Sequence, residues 1–229
     1  MDDRRWDQIA AATGIAFVVL LVIGRLIAGQ PPDVSAKPGE IRRYFVDHQS
    51  GLLLQGFLLG LAGVFFIWFA GTLRAFLRAA EGGAGRLSAI SFGSAIGVLA
   101  TFGPTVALSQ TLTSSVARGS PPLAHALYEL SFWFGDLVAF PVAVFIGAAA
   151  LSAGRTRALP SWLAWGGLVV AGLSLLQGFD FFVRGTDFFQ PNGFLGYVNY
   201  FLGLLWVLAA SVLLLQRAGA TGRARTTNR

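Results

Sequence analysis

Six stretches of this sequence are long and apolar enough to cross a lipid bilayer, and this feature restricts the possible folds most. They cover residues 9–29, 52–73, 87–108, 126–151, 162–183 and 194–215. A helix needs about 20 apolar residues to span the roughly 30 Å hydrocarbon layer. Lipid offers no hydrogen-bond partners, and long apolar runs without polar alternation favour helices over a barrel. We expect an all-α bundle of six membrane-spanning helices.

The amino-acid composition excludes the common soluble alternatives. Charged residues make up 12% of the chain, about half of the 25% typical of soluble domains. The absence of cysteine excludes disulfide scaffolds and thiolate metal sites. The first stretch exceeds the roughly 7 to 15 apolar residues of a signal peptide, so it should stay as a helix. Residues 1–216 should form one transmembrane domain, followed by a disordered basic tail at 217–229.

The basic residues predict an orientation for the bundle. With the N-terminus in the cytoplasm, eleven arginines lie on the cytoplasmic side and six basic residues lie outside. This bias is typical of cytoplasmic-membrane proteins of bacteria, with both termini inside. The basic residues are scattered over helix ends and the tail, so no face is dense enough for a nucleic acid. The expected partner is the lipid bilayer itself.

A short amphipathic helix is predicted between the first two spans. Aromatic and apolar side chains recur there at helical spacing, namely Ile41, Tyr44, Phe45 and His48. Charged side chains occupy the other face, namely Arg42, Arg43 and Asp47. A helix with this pattern lies in the plane of the membrane interface, so we expect it to cap part of the outer face.

Small residues and prolines predict how the spans pack. Small residues recur at four-residue spacing in three series: Gly56 with Gly60, Ala89 with Gly93 and Gly97, and Ala139 with Ala143 and Gly147. Such series let membrane helices approach closely, either within one chain or in a homo-oligomer. Pro104 and Pro141 should bend the third and fourth spans, Pro141 by freeing the carbonyl of Leu137.

Only a few ionisable residues lie within the spans, and they gather toward the outer side. They are Arg25, Glu129, Asp136 and Asp180. At 100° per residue, Glu129 and Asp136 share one stripe with His125. Intramembrane ionisable groups are energetically costly and mark functional sites. Arg25 matches Glu129 in depth and is its expected partner, and Asp180 lies close enough to the interface to be hydrated or to meet Arg184. Asp136, nearest the midplane, is left over, and desolvation should favour its protonated form.

Neighbouring spans carry further polar side chains at comparable depth. They are Gln55, Ser94, Thr101, Thr105, Gln177, Asn199 and Tyr200. Together with the ionisable residues they predict a polar pocket that opens outward. The threonines can also bond back to their own helix carbonyls. Two histidines, His48 and His125, are too few for most membrane metal or haem sites, so no metal and no cofactor is expected.

Three functions are compatible with this pattern. The first is binding or transport of a small polar or amphiphilic molecule, with Asp136 exchanging a proton. The second is an intramembrane enzyme in which Glu129 or Asp136 acts as a catalytic general acid on a lipophilic, isoprenoid-like substrate. The third is a non-enzymatic assembly subunit whose polar groups only hold helices together.

Several segments resemble a family of multi-pass proteins common in GC-rich bacteria. The segments are 29–33 (GQPPD), 40–45 (EIRRYF), 60–74, which ends in FAGTLR, and 157–163 (RALPSWL). Such families are classed as domains of unknown function. The resemblance therefore implies the same multi-pass topology and supplies no activity or site residues.

Overall fold

The computed structural model describes residues 3–116, 119–183, 188 and 193–226. This part of the chain is helical and contains no strand. The helices are α1 (Asp3–Ala28), α2 (Pro38–Asp47), α3 (Gln49–Glu81), α4 (Arg86–Thr111), α5 (Pro121–Leu137), α6 (Ala139–Thr156), α7 (Ser161–Gln177) and α8 (Phe194–Thr226). A π-helical turn, Leu112–Val116, follows α4, and a 3₁₀ turn, Gly178–Phe181, follows α7.

The predicted fold class is confirmed. Six helical segments are long and apolar enough to cross a membrane, and α5 and α6 together form one of them. The chain therefore has the architecture of a multi-pass membrane protein. α8 continues beyond the apolar run through residues 217–226, to Thr226, and the division into a transmembrane domain and a tail stays a prediction. The alanines and arginines of this segment are good helix formers, and the last three residues of the chain lie outside the described part.

The six spans pack in a ring that follows the chain order. α1 packs against α3 and α8, α4 against α3 and α6, and α7 against α6 and α8. Aromatic rings from four helices fill the centre: Phe17, Phe66, Phe145 and Trp206, with neighbouring centroids 4.8 to 6.3 Å apart. Such contacts replace the hydrophobic effect as the force between helices in lipid. The centre of the bundle is therefore a packed apolar layer.

The short helix α2 is present where it was predicted. Its apolar side chains Ile41 and Phe45 are buried, whereas Arg42 and Arg43 are exposed. Ile41 and Phe45 pack with residues of α1, α3, α5 and the π-helical turn in a second, smaller apolar cluster. α2 therefore caps the end of the bundle at which α1 ends and α3 begins, which we call the α2 end. The opposite end is the tail end.

The fourth span breaks next to the carbonyl that Pro141 leaves free. α5 ends at Leu137 and α6 begins at Ala139, with Val138 between them in a right-handed helical conformation. Proline clashes with the carbonyl four residues earlier and cannot bond to it, so the interruption lies where Pro141 requires it. In contrast, α4 runs through Pro104 as a continuous helix.

The small-residue series have different surroundings. Ala139, Ala143 and Gly147 are buried, and a Cβ at Gly147 would lie 3.2 Å from Ala171 of α7. A Cβ at Gly60 or Gly93 would have no neighbour within 4 Å. The series of α6 thus serves packing within the chain. Self-association through the glycine-rich faces of α3 and α4 stays a prediction.

Candidate functional site

A chain of buried hydrogen bonds joins α7 to α8 near the α2 end. The Asn199 side-chain amide donates to Gln177 Oε1 over 2.9 Å. The Ser174 hydroxyl shares its proton between the Val170 carbonyl of its own helix, at 2.9 Å, and Asn199 Oδ1, at 3.1 Å. All three side chains are buried. The structure therefore brings together Gln177 and Asn199, which the sequence placed on neighbouring spans at similar depth. Ser174 was not anticipated, because a serine in a membrane helix usually bonds to its own backbone.

Two buried carboxyl groups lie where α5 meets the 3₁₀ turn. The rings of Trp133 and Phe140 lie 5.3 and 6.0 Å from that of Phe181. Asp136 lies between these two aromatics along the chain, and Asp180 adjoins Phe181. Asp136 is 4% and Asp180 6% exposed. Charged groups inside a membrane are rare and mark functional sites.

These two observations define one polar site, which we call the polar junction. It consists of Asp136, Ser174, Gln177, Asp180 and Asn199. Gln177 immediately precedes the 3₁₀ turn that carries Asp180, and the ring contacts of Phe181 with Trp133 and Phe140 hold the Asp136 region of the fourth span beside that turn. The site lies on the α2 side of the aromatic layer. It offers carboxyl and amide oxygens that can accept hydrogen bonds or hold a positive charge.

Arg25 pairs with a tyrosine instead of with Glu129. Its guanidinium donates to the Tyr197 hydroxyl over 2.6 Å and to the Gly29 carbonyl over 2.9 Å, and it also lies over the Tyr197 ring. The reason is the ring order, since α1 packs between α3 and α8 while α5 packs against α4. Similar depth was not sufficient to make Arg25 and Glu129 neighbours. Arg25 thus fastens the end of α1 to α8.

Replacing Tyr197 with phenylalanine is expected to lower the free energy of unfolding by about 1 to 2 kcal/mol, because a hydrogen bond from a charged donor is lost. Thermal unfolding in detergent measures this loss. Tyr200→Phe is the matched control one turn along α8, since among the described residues the Tyr200 hydroxyl has no hydrogen bond. Equal losses for the two variants would contradict the role of the Arg25 contact.

Two further tyrosines hold the α2 end together. The Tyr44 hydroxyl donates to the Ala28 carbonyl over 2.8 Å, and the Tyr128 hydroxyl donates to the Pro32 carbonyl. Burial raises the pKa of Tyr44, and the positive charge of Arg25 offsets only part of that rise. Tyr44 therefore stays a neutral donor at physiological pH. These contacts fix the segment between α1 and α2 against the bundle.

The remaining predicted residues lie outside the polar junction. The Thr101 hydroxyl donates to carbonyls of its own helix, those of Gly97 and Val98, as membrane threonines often do. Gln55 packs beside Gly24 of α1. His125 and Glu129 are half-buried toward the beginning of α5. Along the predicted stripe, burial thus increases from His125 and Glu129 to Asp136.

A carboxylate at the tail end was missed by the sequence reasoning. Glu81, the last residue of α3, accepts hydrogen bonds from the backbone N–H of Ser88 over 2.8 Å and of Leu87 over 3.2 Å. It also accepts one from the Ser152 hydroxyl of α6 over 2.7 Å. Glu81 therefore caps α4 and joins three helices. The only sequence signal was an acidic residue shortly before a helix start.

Two grooves on the bundle surface have no wall residue from the polar junction. One, of about 520 Å³, lies between α6 and α7 at the tail end. The other, of about 290 Å³, lies between α7 and α8 and is lined by apolar side chains such as Trp162, Val169 and Leu205. The predicted outward-opening pocket corresponds to neither groove and stays a prediction.

No family model, curated protein or solved structure matches this chain. The resemblance of its apolar segments to multi-pass families therefore stays an expectation.

Proposed function

We propose that the polar junction binds a small polar or amphiphilic molecule inside the membrane and that Asp136 exchanges a proton in the process. The supporting observations are the burial of both Asp136 and Asp180 and the buried hydrogen bond between Asn199 and Gln177, which immediately precedes the turn that carries Asp180. When ionised, the two carboxyl groups accept hydrogen bonds and carry negative charge. The favoured ligand therefore carries a positive charge or several hydrogen-bond donors.

A purely structural role explains the amide chain better than it explains the acids. Gln177, Asn199 and Ser174 already connect α7 to α8 through two hydrogen bonds. A charged Asp at the centre of a membrane helix costs about 2.5 to 3.5 kcal/mol on insertion scales, and neutral side chains would fasten the helices without that penalty. Uptake and release of protons as a ligand binds would explain why acids occupy positions 136 and 180.

The proposed location is the bacterial cytoplasmic membrane with both termini inside, which rests on the arginine distribution. In this orientation α2 and the polar junction belong to the outer half of the bundle. A ligand would then enter from the outer leaflet or the periplasmic side. Reporter fusions at the loop between α6 and α7 test the orientation, since this loop should be cytoplasmic.

Asp136→Asn is expected to abolish pH-dependent uptake of an amphiphilic cation into proteoliposomes, because asparagine cannot exchange a proton. Ethidium is a suitable first probe, since it is fluorescent, cationic and carries amino groups. Asp47→Asn is the matched control, because Asp47 is exposed on α2 and far along the chain from the polar junction. Uptake that is the same for the wild type and Asp136→Asn would contradict the proposal.

A further inference from the structure

The α6/α7 groove has the shape of a site for an amphiphile. Its floor consists of small or buried residues, namely Ala150, Gly154, Leu159 and Ala164. Leu151, Trp165 and Leu168 form apolar walls that run from the tail end into the span. Gly154 contributes no side chain, and a Cβ there would have only Ala164 within 4 Å, at 3.6 Å. The groove therefore stays open between two closely packed helices.

Positive charge lies at the mouth of this groove. Arg155 in the last turn of α6 and Arg157 in the following loop both line it, and both are exposed. Within the described part of the chain, neither guanidinium has an ion pair or hydrogen bond. Ser161, the first residue of α7, lies beside them, so the positive end of that helix dipole points to the same place. The mouth is thus suited to an anion.

We infer that the α6/α7 groove binds one anionic phospholipid. The phosphate would lie between Arg155 and Arg157, since a guanidinium group can bind a phosphate through two parallel hydrogen bonds. One acyl chain would lie against Leu151 and Leu168, which a free phosphate would leave exposed. The order of groups from charged mouth to apolar depth matches that of a lipid from headgroup to tail. The inference is independent of the polar junction, which lies at the other end of the bundle.

Native mass spectrometry of the full chain in detergent tests this inference. Phosphatidylglycerol and phosphatidylcholine with identical acyl chains are the probes, and phosphatidylglycerol is expected to bind more tightly. Arg155→Gln/Arg157→Asn should weaken phosphatidylglycerol binding about 25-fold, since each basic side chain near a membrane contributes about fivefold. Asparagine suits position 157 because the backbone there is left-handed, with φ 52°.

Arg42→Gln/Arg43→Gln is the matched control, because it removes two exposed arginines at the α2 end and should leave lipid binding unchanged. Gly154→Leu keeps both charges and fills the groove, and it should also abolish the preference for phosphatidylglycerol. Glycerol phosphate should compete weakly, because it lacks the acyl chain. Equal binding by the wild type and the Arg155/Arg157 variant, or full competition by glycerol phosphate, would overturn the assignment.

Discussion

Replacing Glu81 with alanine is expected to lower the free energy of unfolding by about 3 kcal/mol. The change removes the acceptor for the backbone N–H groups of Leu87 and Ser88 and for the Ser152 hydroxyl. Losing a helix cap costs about 0.5 to 2 kcal/mol, and a buried donor left without a partner costs about 1 to 3 kcal/mol. The contacts share one carboxylate, so these losses do not add fully.

Thermal unfolding in detergent should show a Tm lower by about 6 to 12 °C for Glu81→Ala. Glu81→Gln retains one oxygen and should lose less. Glu40→Ala is the control, since Glu40 is exposed on α2, and its effect should stay within about 0.5 kcal/mol. A Glu81→Ala variant as stable as Glu40→Ala would show that α4 needs no cap from α3.

Gly14→Leu is expected to have the other large effect on stability. Gly14 lies where α1 crosses α3 and α8, and a Cβ there would overlap Ser211 Oγ and lie 2.7 Å from Phe69 Cδ2. Both neighbours are fully buried. Overfilling a packed core costs about 1 to 3 kcal/mol and sometimes more. A leucine here should force α1 away from the bundle and reduce the yield of folded protein sharply.

Gly93→Leu makes the same substitution at an open position of α4, where a Cβ has no neighbour within 4 Å. It should leave stability unchanged or raise it slightly, because leucine is the better helix former. The milder Gly14→Ala keeps the comparison measurable if Gly14→Leu does not fold. Adding Ser211→Ala, which removes the overlapping oxygen, should then recover part of the loss. Similar stability of Gly14→Leu and Gly93→Leu would refute the close contact.

The fold followed from the sequence because run length and hydropathy determine a membrane span almost alone. The break at Val138 could also be anticipated, since the effect of Pro141 is local. The partner of Arg25 could not, because depth along a helix does not specify which helix is adjacent. Glu81 was overlooked for a related reason: its partners lie on two other helices, and only folding brings them together.

The burial of individual polar side chains was predictable to a similar extent, whereas their role as a site stays a prediction. Gln177, Asp180, Asn199 and Asp136 were recognised because polar residues in apolar spans stand out. Ser174 did not stand out, since serine is common in membrane helices and its link to Asn199 depends on how α7 and α8 align. The sequence also did not indicate that His125 and Glu129 would lie apart from the buried acids. Helical periodicity predicts which residues share one face of a helix, but it does not predict how far neighbouring helices bury each side chain.

Infrared spectroscopy of the purified protein in lipid tests the role of Asp136 most directly. A protonated carboxyl group has a C=O stretching band separate from the bands of carboxylates, and its loss on raising the pH reports release of the proton. The proposed proton exchange predicts such a band that disappears as the pH rises and is absent in Asp136→Asn but present in Asp47→Asn. A spectrum in which Asp136→Asn retains the same titrating band would contradict it.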